Sequence, residues 1–168
     1  MAAGPASLTR IAMLALLLAG GQARAEETMA LSKGCEEAGA AAQAVVKAYI
    51  DNFNSKDIAS FESVMHYPNV RHADGKIFVV EEPSGRQQMF ADLEKAIGWD
   101  YTTLDSSEIV QCHPDKVHIA VRVTRHSKTA PIHSFDSLYV VTKVDGKWGI
   151  AIRSSYAPEA LKAPPPAP

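Results

Sequence analysis

Apolar positions keep a helical period through the first half of the chain and a strand period through the second. From Glu36 to Asn54, Ala41, Val45, Ala48, Tyr49, Asn52 and Phe53 recur at i, i+4, i+7 and i+8 steps, and Val46 and Ile50 widen that face. The spacing predicts a helix buried on more than one side, with Glu36 and Glu37 at the positive end of its dipole. Asn54-Ser55-Lys56 breaks it, and Asp57 can cap a second, short helix with Ile58, Phe61 and Met65 on one face. His66-Tyr67-Pro68-Asn69 is expected to end that helix, because Pro68 drives its predecessor out of the α region. Val70 to His72 and Lys76 to Val80 then flank Ala73-Asp74-Gly75 as a small hairpin. Pro83-Ser84-Gly85 opens a third helix, with Ser84 and Gln87 at capping-box spacing. Arg86, Phe90, Leu93 and Ile97 mark its face, and Gly98 is its stop.

After Trp99 the period is two. Tyr101 to Cys112, Lys116 to His126, His133 to Lys143 and Lys147 to Tyr156 are four strand-like runs. Pro114-Asp115 turns the first pair and Ser127 to Ile132 loops the second. Asp145-Gly146 is suited to a tight type I′ turn between the last two. Val117, Ile119, Val121 and Val123 alternate cleanly with His118, Ala120, Arg122 and Thr124. The third run is apolar or aromatic on both faces, with Phe135, Tyr139 and Val141 directed against Leu138 and Val140. One face can meet the helices; the other calls for a further partner, and a second subunit is the expected one. The class is α+β.

The ends of the chain are of another kind. Met1 to Arg10 is a short positive stretch, Ile11 to Gly20 an apolar one, and Ala23-Arg24-Ala25 a small-x-small cleavage pattern, so residues 1–25 read as an export signal. The apolar run is about half of what a bilayer-spanning helix needs, so no stable membrane span is expected in the mature form. A mobile leader over 26–34, a domain over 35–157 and a Pro/Ala-rich disordered tail over 158–168 complete the organisation, and a periplasmic or secreted location follows. The whole chain carries a formal charge of −2, and Arg10 and Arg24 leave with the signal. A mildly acidic chain without a basic run speaks against a nucleic-acid partner. Cys35 and Cys112 both enter an oxidising compartment, where they can pair or stay as two buried thiols.

Candidate chemistry comes from few residues. Asp136 is a lone carboxylate in an apolar strand; it must face a pocket, stay protonated, or pair with Arg122, Arg153 or His133. His66 and Tyr67, before Pro68, are placed to rim a cavity, and Trp99 is a lid or core residue. Alternation puts Ser154 and Tyr156 on the face shared by Trp148, Ile150 and Ile152. Of the six histidines, His118 and His126 share a strand face but lie about 26 Å apart at 3.3 Å per residue. With no H-x-H, HExxH, G-x-S-x-G or phosphate-cradling glycine loop, neither metal nor cofactor is expected.

The order of elements, with Tyr49-Ile-Asp-Asn-Phe-Asn-Ser-Lys-Asp57, His72-Ala-Asp-Gly75, His113-Pro-Asp-Lys116, Phe135-Asp-Ser-Leu-Tyr139 and Asp145-Gly-Lys-Trp148, resembles the nuclear transport factor 2-like (SnoaL-like, ketosteroid-isomerase-like) superfamily. The resemblance covers about Cys35 to Tyr156 and implies a cone: a curved antiparallel sheet wrapped around three N-terminal helices, its interior holding an apolar ligand. It further implies Tyr49 at the isomerases' oxyanion tyrosine and Asp136 at their strand carboxylate. The departure is at the base, where His72 stands in place of an aspartate. The expected activity is binding of a small apolar or carbonyl-bearing molecule in a homodimer. The alternatives are acid–base catalysis by His72 with Tyr49 and Asp136, or a non-catalytic interaction module.

Overall fold

A computed structural model describes residues 34–73 and 75–156. The expected signal, the leader up to residue 33 and the Pro/Ala tail lie outside the described residues. A long helix, α1, runs over 34–54. After it come α2 (Ile58–Glu62), β1 (Met65–Ala73), β2 (Lys76–Val80), α3 (Gln88–Ile97), β3 (Tyr101–His113), β4 (Lys116–His126), β5 (Pro131–Val144) and β6 (Lys147–Ser155). The strands form one curved, unclosed sheet in the order β2-β1-β6-β5-β4-β3. It is antiparallel except where β1 runs parallel to β6. No helix among the described residues is long and apolar enough to cross a membrane.

The core lies between α1 and the concave face of the sheet. Ala38, Ala42, Val46, Tyr49, Ile50 and Phe53 of α1 are buried against Val117, Ile119, Val121 and Val123 of β4, Tyr139 and Val141 of β5, and Ile150 of β6. The alternation read along β4 is therefore the real one. An aromatic group closes the wider end: the Phe53 ring lies 5.1 Å from Phe61, 4.8 Å from Trp99 and 5.5 Å from Phe90. The Asn54 side chain ends α1 by imitating a strand. Its amide donates to the Thr102 carbonyl and accepts from the Thr102 N–H, both at 2.8 Å.

The structure corrects several local expectations. α2 stops at Glu62, so Met65 belongs to β1, and His66 to Asn69 are strand rather than helix end. The Tyr67–Pro68 peptide is cis. α3 starts at Gln88 without a side-chain cap. Ser84 serves Glu62 instead, and Gln87 bridges to α2, its side-chain carbonyl accepting from the Ile58 N–H at 3.0 Å. Gly98 does end α3 in the left-handed region, and Asp145 (φ 51°) with Gly146 (φ 79°) forms the tight last turn.

Cys35 and Cys112 are joined in a disulfide that ties the start of α1 to the end of β3, with Cα atoms 5.6 Å apart. The bridge closes a loop of sequence separation 77. Bridges of this kind typically stabilise a fold by roughly 2–4 kcal/mol, mainly by restricting the unfolded chain. Replacing both cysteines by serine should lower the unfolding free energy by about that amount in a denaturant titration; an unchanged midpoint would deny the bridge a stabilising role.

Candidate functional site

At the end of the cone away from the disulfide, the sheet and α1 part to leave a cavity of about 120 Å³. Tyr49 and Phe53 come from α1, Ile58, Phe61 and Glu62 from α2, and Met89 from α3. Met65, Tyr67, Asn69 and Arg71 project from β1, Phe78 and Val80 from β2, Arg125 from β4, and Ile150 and Arg153 from β6. The period of two explains this set: the odd positions of β1 face inward, and their register partners Phe78 and Val80 on β2 do the same.

The walls are apolar and aromatic with a cationic cluster set among them. Arg71 and Arg153 are cross-strand neighbours on β1 and β6. Arg153 donates to the Tyr49 hydroxyl, and its guanidinium lies 5.8 Å from the centre of that ring. Arg125, only 8% exposed, stacks its guanidinium 5.3 Å from the Phe135 ring. Arg71 Nε and Arg125 Nη1 are buried without a hydrogen-bond partner. None of the three pairs with a carboxylate of the described residues, in contrast to Arg86, which bonds Asp92 at 2.6 Å. Burial, reinforced by the charge of Arg153, pushes both Arg71 and Arg125 down to about 10. For Arg153, burial opposes the charge, but the Tyr49 and Tyr139 hydroxyls outweigh it and hold the group above its usual value. All three are cations at neutral pH.

Glu62 supplies the cavity's carboxylate, and its oxygens are already engaged. They accept from the Ser84 N–H (2.8 Å), the Ser84 hydroxyl (2.7 Å) and the Gly85 N–H (3.1 Å), which fixes the loop before α3. The neighbouring Tyr67 phenol is pushed up to about 12 by burial and then by the Glu62 charge.

Of the residues singled out from the sequence, Tyr49 and Tyr67 line this cavity. The catalytic grouping of Tyr49, His72 and Asp136 is not assembled. His72 is exposed, because β1 alternation turns Arg71 inward and its neighbour outward. Asp136 stands on the outer face opposite Arg122 and pairs with it at 3.0 Å, both side chains half-exposed. Trp99 is a fully buried core residue whose indole N–H donates to Thr102 Oγ1 at 2.9 Å. Ser154 and Tyr156 are misassigned for a specific reason: a β-bulge at Ala151 shifts the register between β5 and β6. Ile150 pairs with inward Val141, yet Arg153, not Ile152, pairs with inward Tyr139. Ser154 follows Leu138 outward, and Tyr156 is 80% exposed. The bulge hid Arg153 from a reading by simple alternation, whereas Arg125 continues the inward series that begins at Val117.

His66 lies outside the cavity. Its ring packs over Gly149, where a Cβ would come within 2.6 Å of it, and its Nδ1 bonds the Thr142 hydroxyl at 2.9 Å. Burial, then the Lys147 charge, pulls the imidazole below its usual value of 6.5. The folded state thus holds fewer protons than the unfolded one near that pH, and stability present above 6.5 is lost as pH falls. Denaturation midpoints should decline from pH 7 to 5, and His66→Gln should flatten the decline; an equal slope in both proteins would assign it elsewhere.

No protein-family model matches the chain, and no curated protein matches it. Solved structures do. A ketosteroid isomerase-like protein from Erwinia carotovora atroseptica superimposes with TM-score 0.54 at 20% identity, over 71% of this chain and 96% of the other. An NTF2-like protein from Cytophaga hutchinsonii gives 0.53 at 17% identity, over 69% and 94%. A protein of unknown function with a cystatin-like fold from Nostoc punctiforme gives 0.59 at 12% identity, over 73% and 92%. Identities this low speak for the fold alone.

Proposed function

We propose that this chain, whose fold is nuclear transport factor 2-like, is an exported, homodimeric binding domain for a small, largely apolar molecule. The observation that carries the reading is the aromatic-lined cavity between α1, α2, β1 and β6. Pockets of mainly apolar walls with a few convergent polar groups are the usual form of small-molecule sites. Binding is favoured over acid–base turnover because no histidine or aspartate is among the residues lining it, while His72 and Asp136 stand outside. Export rests on the pattern of residues 1–25 and agrees with the disulfide. Native mass spectrometry of the exported protein should show a chain beginning at Glu26 and carrying a small molecule that is released unchanged on denaturation. A ligand-free chain with its leader intact would count against both parts.

The dimer reading has its own support on the convex face of the sheet. Register places Val79 beside Val70, Val70 beside Ile152, and Ile152 beside Val140, with Leu138 one pair along. Val79 is 52% exposed, and Leu138 and Ile152 are exposed with it, so an apolar band crosses four strands. A second copy of the same face would cover it. The Leu138→Lys, Ile152→Lys double variant should sediment as a monomer where the parent chain sediments as a dimer. A monomeric parent would refute the assignment.

A further inference from the structure

We propose that the ligand is a small carboxylate, its head held by Arg71, Arg125 and Arg153 and its apolar body against Phe53, Phe61, Phe78 and Met65; the inference rests on the binding reading above. Four arginines line one cavity; Arg86 is paired with Asp92, and of the other three, two carry buried nitrogens without a hydrogen-bond partner. Removing a cation from water is costly unless an anion or a set of acceptors replaces the solvent. Bringing three together adds mutual repulsion, and like charges directly across a sheet are themselves unfavourable, as Arg71 and Arg153 are. Ring contacts and the Tyr49 hydroxyl offset part of this, but no carboxylate of the described residues pairs with any of the three. The carboxylate of Glu62 is committed to Ser84 and Gly85, and the Tyr49 hydroxyl already accepts from Arg153. A bound anion supplies the missing acceptors, which makes the cluster a receptor before it is a structural device.

The chemistry of the groups narrows the anion. A guanidinium is a planar fork whose parallel N–H bonds match the two oxygens of a carboxylate. Both orphaned nitrogens belong to such forks. Most of the remaining lining is aromatic or aliphatic, with Glu62, Asn69, Ser84 and Arg86 as its polar members, and a bare inorganic oxyanion would leave those aromatic faces uncovered. Size narrows it again: at about 120 Å³ the space compares with apolar cavities of about 150 Å³ that hold a single benzene ring. A one-ring aryl carboxylate or a short alkyl carboxylate satisfies both halves of the site.

Thermal unfolding of the full mature chain with its disulfide intact tests this, using benzoate and hexanoate as carboxylates, benzamide as the neutral isostere of benzoate, and inorganic phosphate as a bare oxyanion. Benzoate or hexanoate should raise the midpoint saturably, and benzamide and phosphate at the same concentrations should not. Arg125→Met and Arg71→Met should each unfold at a higher temperature than the parent without ligand, and should lose the carboxylate response. Benzamide matching benzoate would leave the binding reading standing and overturn the carboxylate. Phosphate matching it would overturn the apolar body. A response to none of the four compounds would overturn this inference, while the native mass spectrum decides the binding reading separately. Arginine variants with lowered midpoints and an undiminished benzoate shift would make the cluster structural and end the proposal.

Discussion

The packing of one helix into a curved sheet sets where this protein can be solid and where it must be hollow. Along α1 the buried side chains grow from Ala38 and Ala42, through Val46, to Tyr49 and Phe53. Small residues let the helix lie close to β3 and β4, and the disulfide clamps that end. At the other end two rings, Tyr49 and Phe53, hold the helix off the sheet, and the volume they border is also lined by three more aromatics and four arginines. Burial of hydrocarbon drives the assembly as a whole, but the gradient of side-chain size decides at which pole the density of packing is given up.

The hollow is unusual in its electrostatics rather than its shape. Other charges are paired conventionally: Lys47 with Asp51 and Arg122 with Asp136 at the surface, and Arg86, on the cavity wall, with Asp92. Each of these pairs leaves its members in reach of water, where an ion pair is worth little and its loss costs little. Arg71, Arg125 and Arg153 pair with no carboxylate of the described residues, and Arg71 Nε and Arg125 Nη1 are buried without any hydrogen-bond partner. Their burial depresses two of them without coming near to neutralising them, so the cavity keeps its positive field across the physiological pH range. Sites that work against stability in this way are usually kept for what they bind.

Most of the architecture was legible because long strands and helices announce themselves by period. Val117 to Val123 fixed the inward face of β4, Asp145-Gly146 fixed the last hairpin, and Gly98 fixed the end of α3. The candidate site was far less legible. Tyr49 and Tyr67 could be found, since one lies on the buried stripe of α1 and the other beside a proline that marks a departure from helix. Asp136 misled because a carboxylate between apolar neighbours looks buried, while on a strand those neighbours point to alternate sides. His72 misled for the same reason one residue from Arg71. The bulge at Ala151 could not be read at all, for it is a property of the pairing between β5 and β6 rather than of either strand.

That single extra residue in β6 gives this architecture a way to change its contents without changing its outline. Were Ala151 paired with Val140 in a regular ladder instead of bulged, the next side chains toward the tip of β6 would exchange sides, putting Ile152 within beside Tyr139 and Arg153 without beside Leu138. The hollow would become greasier by one branched hydrocarbon and poorer by one cation, and the convex band would gain a charge at its centre. Whether that one residue is bulged or paired thus couples what the interior accepts to how apolar the convex face is.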